Sequence, residues 1–150
     1  MRFDFFPVKP EDLEELIPKT CYSIGELGCS KDLIALSCLQ NTDSISMGFG
    51  LADGTLLGIC GSYRQWEGAA QAWAVFDARV ELHPRALYMA CEQLIQYAQA
   101  KQGLRRLSLT VKSGYTKGNR FASALGFSFE GKLYGYLPGG DDAHLYARLF

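Results

Sequence analysis

Ten of the fifteen lysines and arginines of this 150-residue chain lie in its second half. Between Gln93 and Phe129 stand six cations, Lys101, Arg105, Arg106, Lys112, Lys117 and Arg120, with no Asp or Glu among them. Converging on one place, they would make a positive field for an anionic ligand; spread over several elements, they are a solvated face. Just upstream, Asp77 and Glu81 lie at and after the end of an apolar run, Ala70–Val80 (AQAWAVFDARV). Carboxylates so placed are either proton acceptors in a site or ordinary surface acids. His83 has the same two readings, a base or a residue that simply precedes Pro84. The two histidines, His83 and His144, and the five cysteines, with no C-x-x-C pair, assemble neither a zinc site nor a Ser-His-Asp or Cys-His arrangement.

Composition excludes several classes. A formal charge of −1 lacks the basic footprint of a general nucleic-acid binder. An odd number of cysteines (Cys21, Cys29, Cys38, Cys60, Cys91) fits reduced, mostly buried thiols and a cytoplasmic location. The opening MRFDFFPVKPEDLEEL carries acids and proline where a signal peptide needs an apolar run, and no segment reaches the ~18 apolar residues of a membrane span. Apolar residues at 48% supply one substantial core, and no repeat or linker divides the chain, so residues 1–150 are expected to form a single domain.

The elements follow from period and punctuation. Met1–Pro7 reads as a short strand. Lys9–Ile17 reads as a helix, with Pro10 in its first turn, Glu11 and Asp12 at its positive end and Pro18 as its stop. Ser30 is an N-cap for a second helix through Leu39. Ser44–Leu51 and Thr55–Tyr63 are strands joined at Ala52-Asp53-Gly54, Arg64–Ala69 is a polar loop, and Ala70–Val80 is a third strand. Pro84 opens the clearest helix, where Leu87, Cys91, Leu94, Ile95 and Ala98 recur at helical spacing until Gly103. Leu104–Val111 is a strand, Thr116–Leu125 a short helix, and Phe127–Leu137 and Ala143–Phe150 are strands about the turn-rich Pro138–Asp142. The order predicts an α/β (α+β) fold, a mixed, mainly antiparallel sheet of six to seven strands flanked by about four helices. The strands at 70–80 and 104–111 should be parallel neighbours joined by a right-handed crossover.

The stretch Leu104–Tyr134, LRRLSLTVKSGYTKGNRFASALGFSFEGKLY, carries more than a fold. With Gly126-Phe127 followed by Glu130-Gly131, it resembles the C-terminal signature of the GNAT superfamily of N-acetyltransferases. VKPEDLEEL resembles that family's first strand-to-helix passage, and the element order matches throughout. More narrowly, residues 72–111 resemble acetyltransferase-like proteins of tailed bacteriophages.

That resemblance implies a GNAT-like acyl-coenzyme A acyltransferase domain, with acetyl-coenzyme A as co-substrate and an amine on a small molecule or protein as acceptor. It implies that the two parallel strands splay, that pantetheine fills the gap, and that the pyrophosphate rests on a helix N-terminus near Val80 and Pro84. Arg85 is then the first candidate for phosphate contact and Arg79 the second, with Lys117 and Arg120 nearby. Asp77 or Glu81 becomes a candidate base. Three departures stand against this. Val80–Leu87 (VELHPRAL) has no glycine where the family has a glycine-rich loop, the family's usual Asn falls at Tyr115, and its usual acid Tyr falls at Ala122. Tyr115 is the substitute candidate for the acid. The Trp66–Trp73 region and Tyr134/Tyr136 either shape an acceptor pocket or belong to the core. The departures leave a second expectation open, a catalytically silent protein that keeps the fold for interaction in a phage particle or against a host protein. Oligomeric state, including a homodimer, stays open too.

Overall fold

The computed structural model describes residues 1–16 and 43–150. Seven strands, β1 (Asp4–Phe6), β2 (Ser44–Gly50), β3 (Leu56–Trp66), β4 (Ala69–Phe76), β5 (Arg106–Lys112), β6 (Ser128–Leu133) and β7 (Ala143–Leu149), form one sheet in the order β1-β2-β3-β4-β5-β7-β6. Among the described residues it is accompanied by three α-helices, α1 (Pro10–Leu16), α2 (Pro84–Gln102) and α3 (Thr116–Ala124), and a 3₁₀ helix at Ala78–Leu82. The helix expected at Ser30–Leu39 lies outside the described residues. β2, β3 and β4 run as the expected antiparallel meander.

Strand pairing assigns the faces. Ile45, Met47 and Phe49 share one face with Cys60, Ala72 and Phe76, and there α2 and α3 close the main core. On the opposite face Ile59, Trp73 and Val75 pack against Leu13 and Leu16 of α1. α2 begins with Pro84 at its first position and ends at Gly103, whose φ of 59° lets its N–H reach the Gln99 carbonyl. Its predicted apolar stripe is buried at Leu87, Cys91, Ile95 and Ala98.

Three boundaries differ from expectation, each for a local reason. The loop expected at Arg64–Ala69 is a tight hairpin, because β3 continues to Trp66 and Gly68, at φ 80°, turns the chain. The strand expected through Val80 stops at Phe76. Asp77 turns its side chain back to accept from the Arg79 N–H at 2.8 Å, which starts the 3₁₀ helix. The strand expected to reach Leu137 ends at Leu133, followed by Gly135 at φ 59° with its N–H donated to Asp142.

The feature that matters for function lies between β4 and β5. They are parallel, but pair only at Ala69–Arg106, Ala70–Leu107 and Gln71–Ser108. Beyond that point β4 stays paired to β3 as far as Phe76, and β5 stays paired to β7 as far as Lys112. The sheet therefore opens as a wedge between two strands that are each anchored on their outer side. Phe76 at the tip of β4 meets Phe121 of α3 edge-on, ring centres 6.3 Å apart, and also packs on Phe49.

Candidate active site

The wedge holds a cavity of about 520 Å³. Ala72, Ala74 and Phe76 of β4, Leu109 and Val111 of β5 and Phe121 of α3 contribute to its wall. Small side chains on β4 leave the unpaired strand edge approachable, and the apolar wall favours a ligand with a largely uncharged arm.

The cavity also touches Val80, Glu81 and Pro84, which places it at the start of α2. Two backbone donors of the glycine-free stretch are taken up before α2 begins: the Val80 N–H goes to the Asp77 carbonyl and the His83 N–H to the Val80 carbonyl, each at 3.0 Å. The α2 ladder starts with Leu87 N–H to His83 O at 3.0 Å, and Pro84 has no N–H. Arg85 and Ala86 therefore carry the first-turn N–H groups that an anion would meet. A helix N-terminus is present without a glycine cradle.

The candidate residues are partly brought together. Asp77, Val80, Glu81, Tyr115 and Lys117 border the cavity. Arg79, Arg85 and Arg120 are exposed and lie outside its wall. Asp77 is buried and receives Arg79 Nε and Nη2 at 3.1 and 2.8 Å, one on each carboxylate oxygen. Glu81 pairs with Lys117 at 3.0 Å on the surface, where such pairs hold loosely. The remaining cations disperse: Arg106 pairs with Glu130, Lys112 with Asp141 at 3.5 Å, Arg105 with the Glu67 carbonyl, and Lys101 lies over the Tyr97 ring. Of the six in the run, Lys112 and Lys117 reach the wall. Trp66, Tyr134 and Tyr136 are exposed, while Trp73 is buried and borders the cavity. Cys60 and Cys91 also border it, and the hydrogen bond between them, with burial second, pushes the Cys91 thiol up and keeps it unreactive.

Tyr115 stands at the N-cap of α3 with its ring over Gly118. Ala122, where the resemblance puts the usual tyrosine, is buried in the wall. One turn after Tyr115 stands Asn119, which sequence reasoning missed. Its amide donates to the carbonyls of Lys112, Ser113 and Tyr115 at 3.1, 3.5 and 2.7 Å. Its Oδ1 accepts the Tyr146 hydroxyl at 2.6 Å and lies 2.8 Å from His144 Nδ1. Burial pushes the Tyr146 phenol up, so it stays a donor in this network. Asn119 thus ties the β5–α3 turn, and with it Tyr115, to β7. The available signal was an asparagine one helical turn from the position where the resemblance expects one.

No family model and no curated protein sequence matches this chain. Solved structures do. An acetyltransferase of the GNAT family from Streptococcus pneumoniae aligns at TM-score 0.72 and 20% identity over 99% of both chains. A spermidine N-acetyltransferase chimera from Vibrio cholerae and hSSAT aligns at TM-score 0.77 and 16% identity, over 99% of this chain and 96% of that one. The ribosomal-protein-S18-alanine N-acetyltransferase from Escherichia coli aligns at 0.73 and 17%, over 98% and 93%. At such identities the likeness is one of fold: this chain has the fold of these acetyltransferases.

Proposed function

We propose that this protein transfers an acetyl group from acetyl-coenzyme A to an amine. The observation that carries the proposal is the wedge, in which two parallel strands part after Gln71 and Ser108 around an apolar cavity reaching the N-terminus of α2. The residues fit the co-substrate in two respects. The β4 edge beyond Gln71 is free of β5 and can hydrogen-bond an amide-bearing arm as a further strand would. The first turn of α2 carries the N–H groups of Arg85 and Ala86 for the pyrophosphate, with the Arg85 guanidinium beside them.

In the reaction the amine nitrogen attacks the thioester carbonyl carbon, the C–N bond forms and the C–S bond breaks. The amine gives up a proton and the departing thiolate takes one. Lining the cavity from the α3 N-cap, Tyr115 is the candidate donor to the thiolate, standing in for the tyrosine absent at Ala122. Asp77 and Glu81 are the candidate acceptors, each working from an ion pair, with Arg79 and Lys117 respectively. Arg79, Val80, Lys117 and Arg120 complete the proposed surroundings of the coenzyme.

A silent scaffold is the second reading, favoured by the bonds that take up the Val80 and His83 donors of the glycine-free stretch. Calorimetry with acetyl-coenzyme A separates the two. Binding is expected, and Arg85→Glu, which sets a like charge against the pyrophosphate, should weaken it by about 1–3 kcal/mol. If the wild-type protein gives no heat with acetyl-coenzyme A and acetylates none of a broad panel of amines, the fold is a retained scaffold.

A further inference from the structure

Buried donors ordinarily find acceptors, and β4 breaks this rule twice on the face that carries α1. Trp73 is 5% exposed and borders the cavity, yet its Nε1–H has no partner. Gln71, two residues earlier on the same face and also buried, leaves its Nε2 without one. Across the wedge on β5, the Thr110 hydroxyl is a third unpartnered buried atom, again in the cavity wall. The indole is not free to swing toward a partner: it lies flat over Gly61 of β3, where a Cβ would stand 2.4 Å from Cζ2 and 2.7 Å from Nε1. A rigidly held N–H of this kind can only donate, and burying it unpaired is costly.

The position of these atoms relates them to the acceptor. α2 and α3 occupy the other face, and the N-terminus of α2 is where the pyrophosphate would rest, so the face of α1 is the side from which an amine reaches the wedge. We propose that the acceptor is an amine with a carbonyl oxygen beside it, the α-amine of a peptide or amino acid. Its carbonyl oxygen takes the Trp73 N–H, and its nitrogen lies toward the Thr110 hydroxyl. This rests on the acetyl-transfer reading and narrows it. A polyamine fits the wall poorly, because protonated amines only donate and offer Trp73 nothing. They also need carboxylates, and the two in the described wall, Asp77 and Glu81, already hold Arg79 and Lys117.

The test compares trialanine, 2-aminopropane (the same amine without a carbonyl) and spermidine as acceptors with acetyl-coenzyme A. Trialanine should be used at least ten-fold better, as kcat/KM, than either of the others. Trp73→Phe should lower that value about ten-fold, the worth of one hydrogen bond, and should narrow the preference for trialanine over 2-aminopropane by the same factor. Spermidine used as well as trialanine, or no effect of Trp73→Phe, overturns the proposal. A second readout needs neither turnover nor the variant's stability. In ¹H–¹⁵N spectra of the wild-type protein, trialanine should move the Trp73 indole N–H signal downfield, and spermidine should not. That shift without any acetyl transfer would defeat the enzyme reading and leave the peptide site standing; its absence defeats the site.

Discussion

Alanine in place of Gly118 should destabilise this protein, although helix propensity says the reverse. Gly118 is the third residue of α3, and replacing a helical glycine by alanine ordinarily stabilises by roughly 0.5–1 kcal/mol. Here the new Cβ would stand 2.2 Å from Tyr115 Cδ1, 2.5 Å from its Cε1 and 2.9 Å from Val111 Cγ1. Overpacking of this kind costs typically about 1–3 kcal/mol, so the net expectation is a loss of about 1–2 kcal/mol. The Tyr115 ring can move only by leaving its place over α3, which displaces it within the cavity wall as well. Urea denaturation followed by circular dichroism reads the stability, and a double-mutant cycle isolates the cause. In a Tyr115→Ala background the same substitution should be milder by at least about 1 kcal/mol, leaving only the Val111 contact to relax. If Gly118→Ala stabilises the protein, or has the same effect in both backgrounds, Tyr115 does not sit where the proposed chemistry needs it.

Asn119→Ala removes three bonds to loop carbonyls and strands the buried Tyr146 hydroxyl, so chemical denaturation should show a loss of about 2–3 kcal/mol. Glu92 takes two bonds from Arg148, at 2.8 and 2.9 Å, joining α2 to β7, and the guanidinium holds its carboxyl below the usual 4.5. A carboxyl lowered on folding adds stability above its unfolded pKa and loses it as pH falls through the folded value. Stability measured between pH 6 and 3 should therefore fall less steeply below about 4.5 in Glu92→Gln than in the wild-type protein. Tyr115→Phe should slow acetyl transfer by roughly ten-fold in single-turnover kinetics, leaving the affinity for acetyl-coenzyme A unchanged.

Local signals located most of the elements. Pro84 and Gly103 bracket α2 in the sequence and in the structure, because proline at a first turn and glycine in a left-handed cap act through their own backbones. The Ala52-Asp53-Gly54 hairpin is equally local, with Gly54 at φ 91° and Asp53 accepting the Thr55 N–H at 2.9 Å. Boundaries slipped where a side chain overrode the period: apolar spacing continued to Val80, but the turn made by Asp77 ended the strand at Phe76. The site was legible at the level of the wedge. The splay of 70–80 from 104–111 was expected from the resemblance and is present.

Convergence in space was not legible. Six cations without an intervening acid left two readings open, one field or a solvated face, and the partners of four of them, Glu81, Glu130, Asp141 and the Glu67 carbonyl, come from elsewhere in the chain. Asn119 went unread in the sequence, because its partners Tyr146 and His144 come from β7. The Trp66–Trp73 region read as either an acceptor pocket or core, and it is the lodging of Trp73 over Gly61 with an unanswered N–H that marks it out. By itself the sequence determined the order of the described elements and the mixed sheet they form, since caps, turns and periodicity act over a few residues. Tertiary structure alone decided which cations are neutralised, which asparagine ties the β5–α3 turn to β7 and which buried donors stay unpaired, because those depend on pairings between strands and helices tens of residues apart.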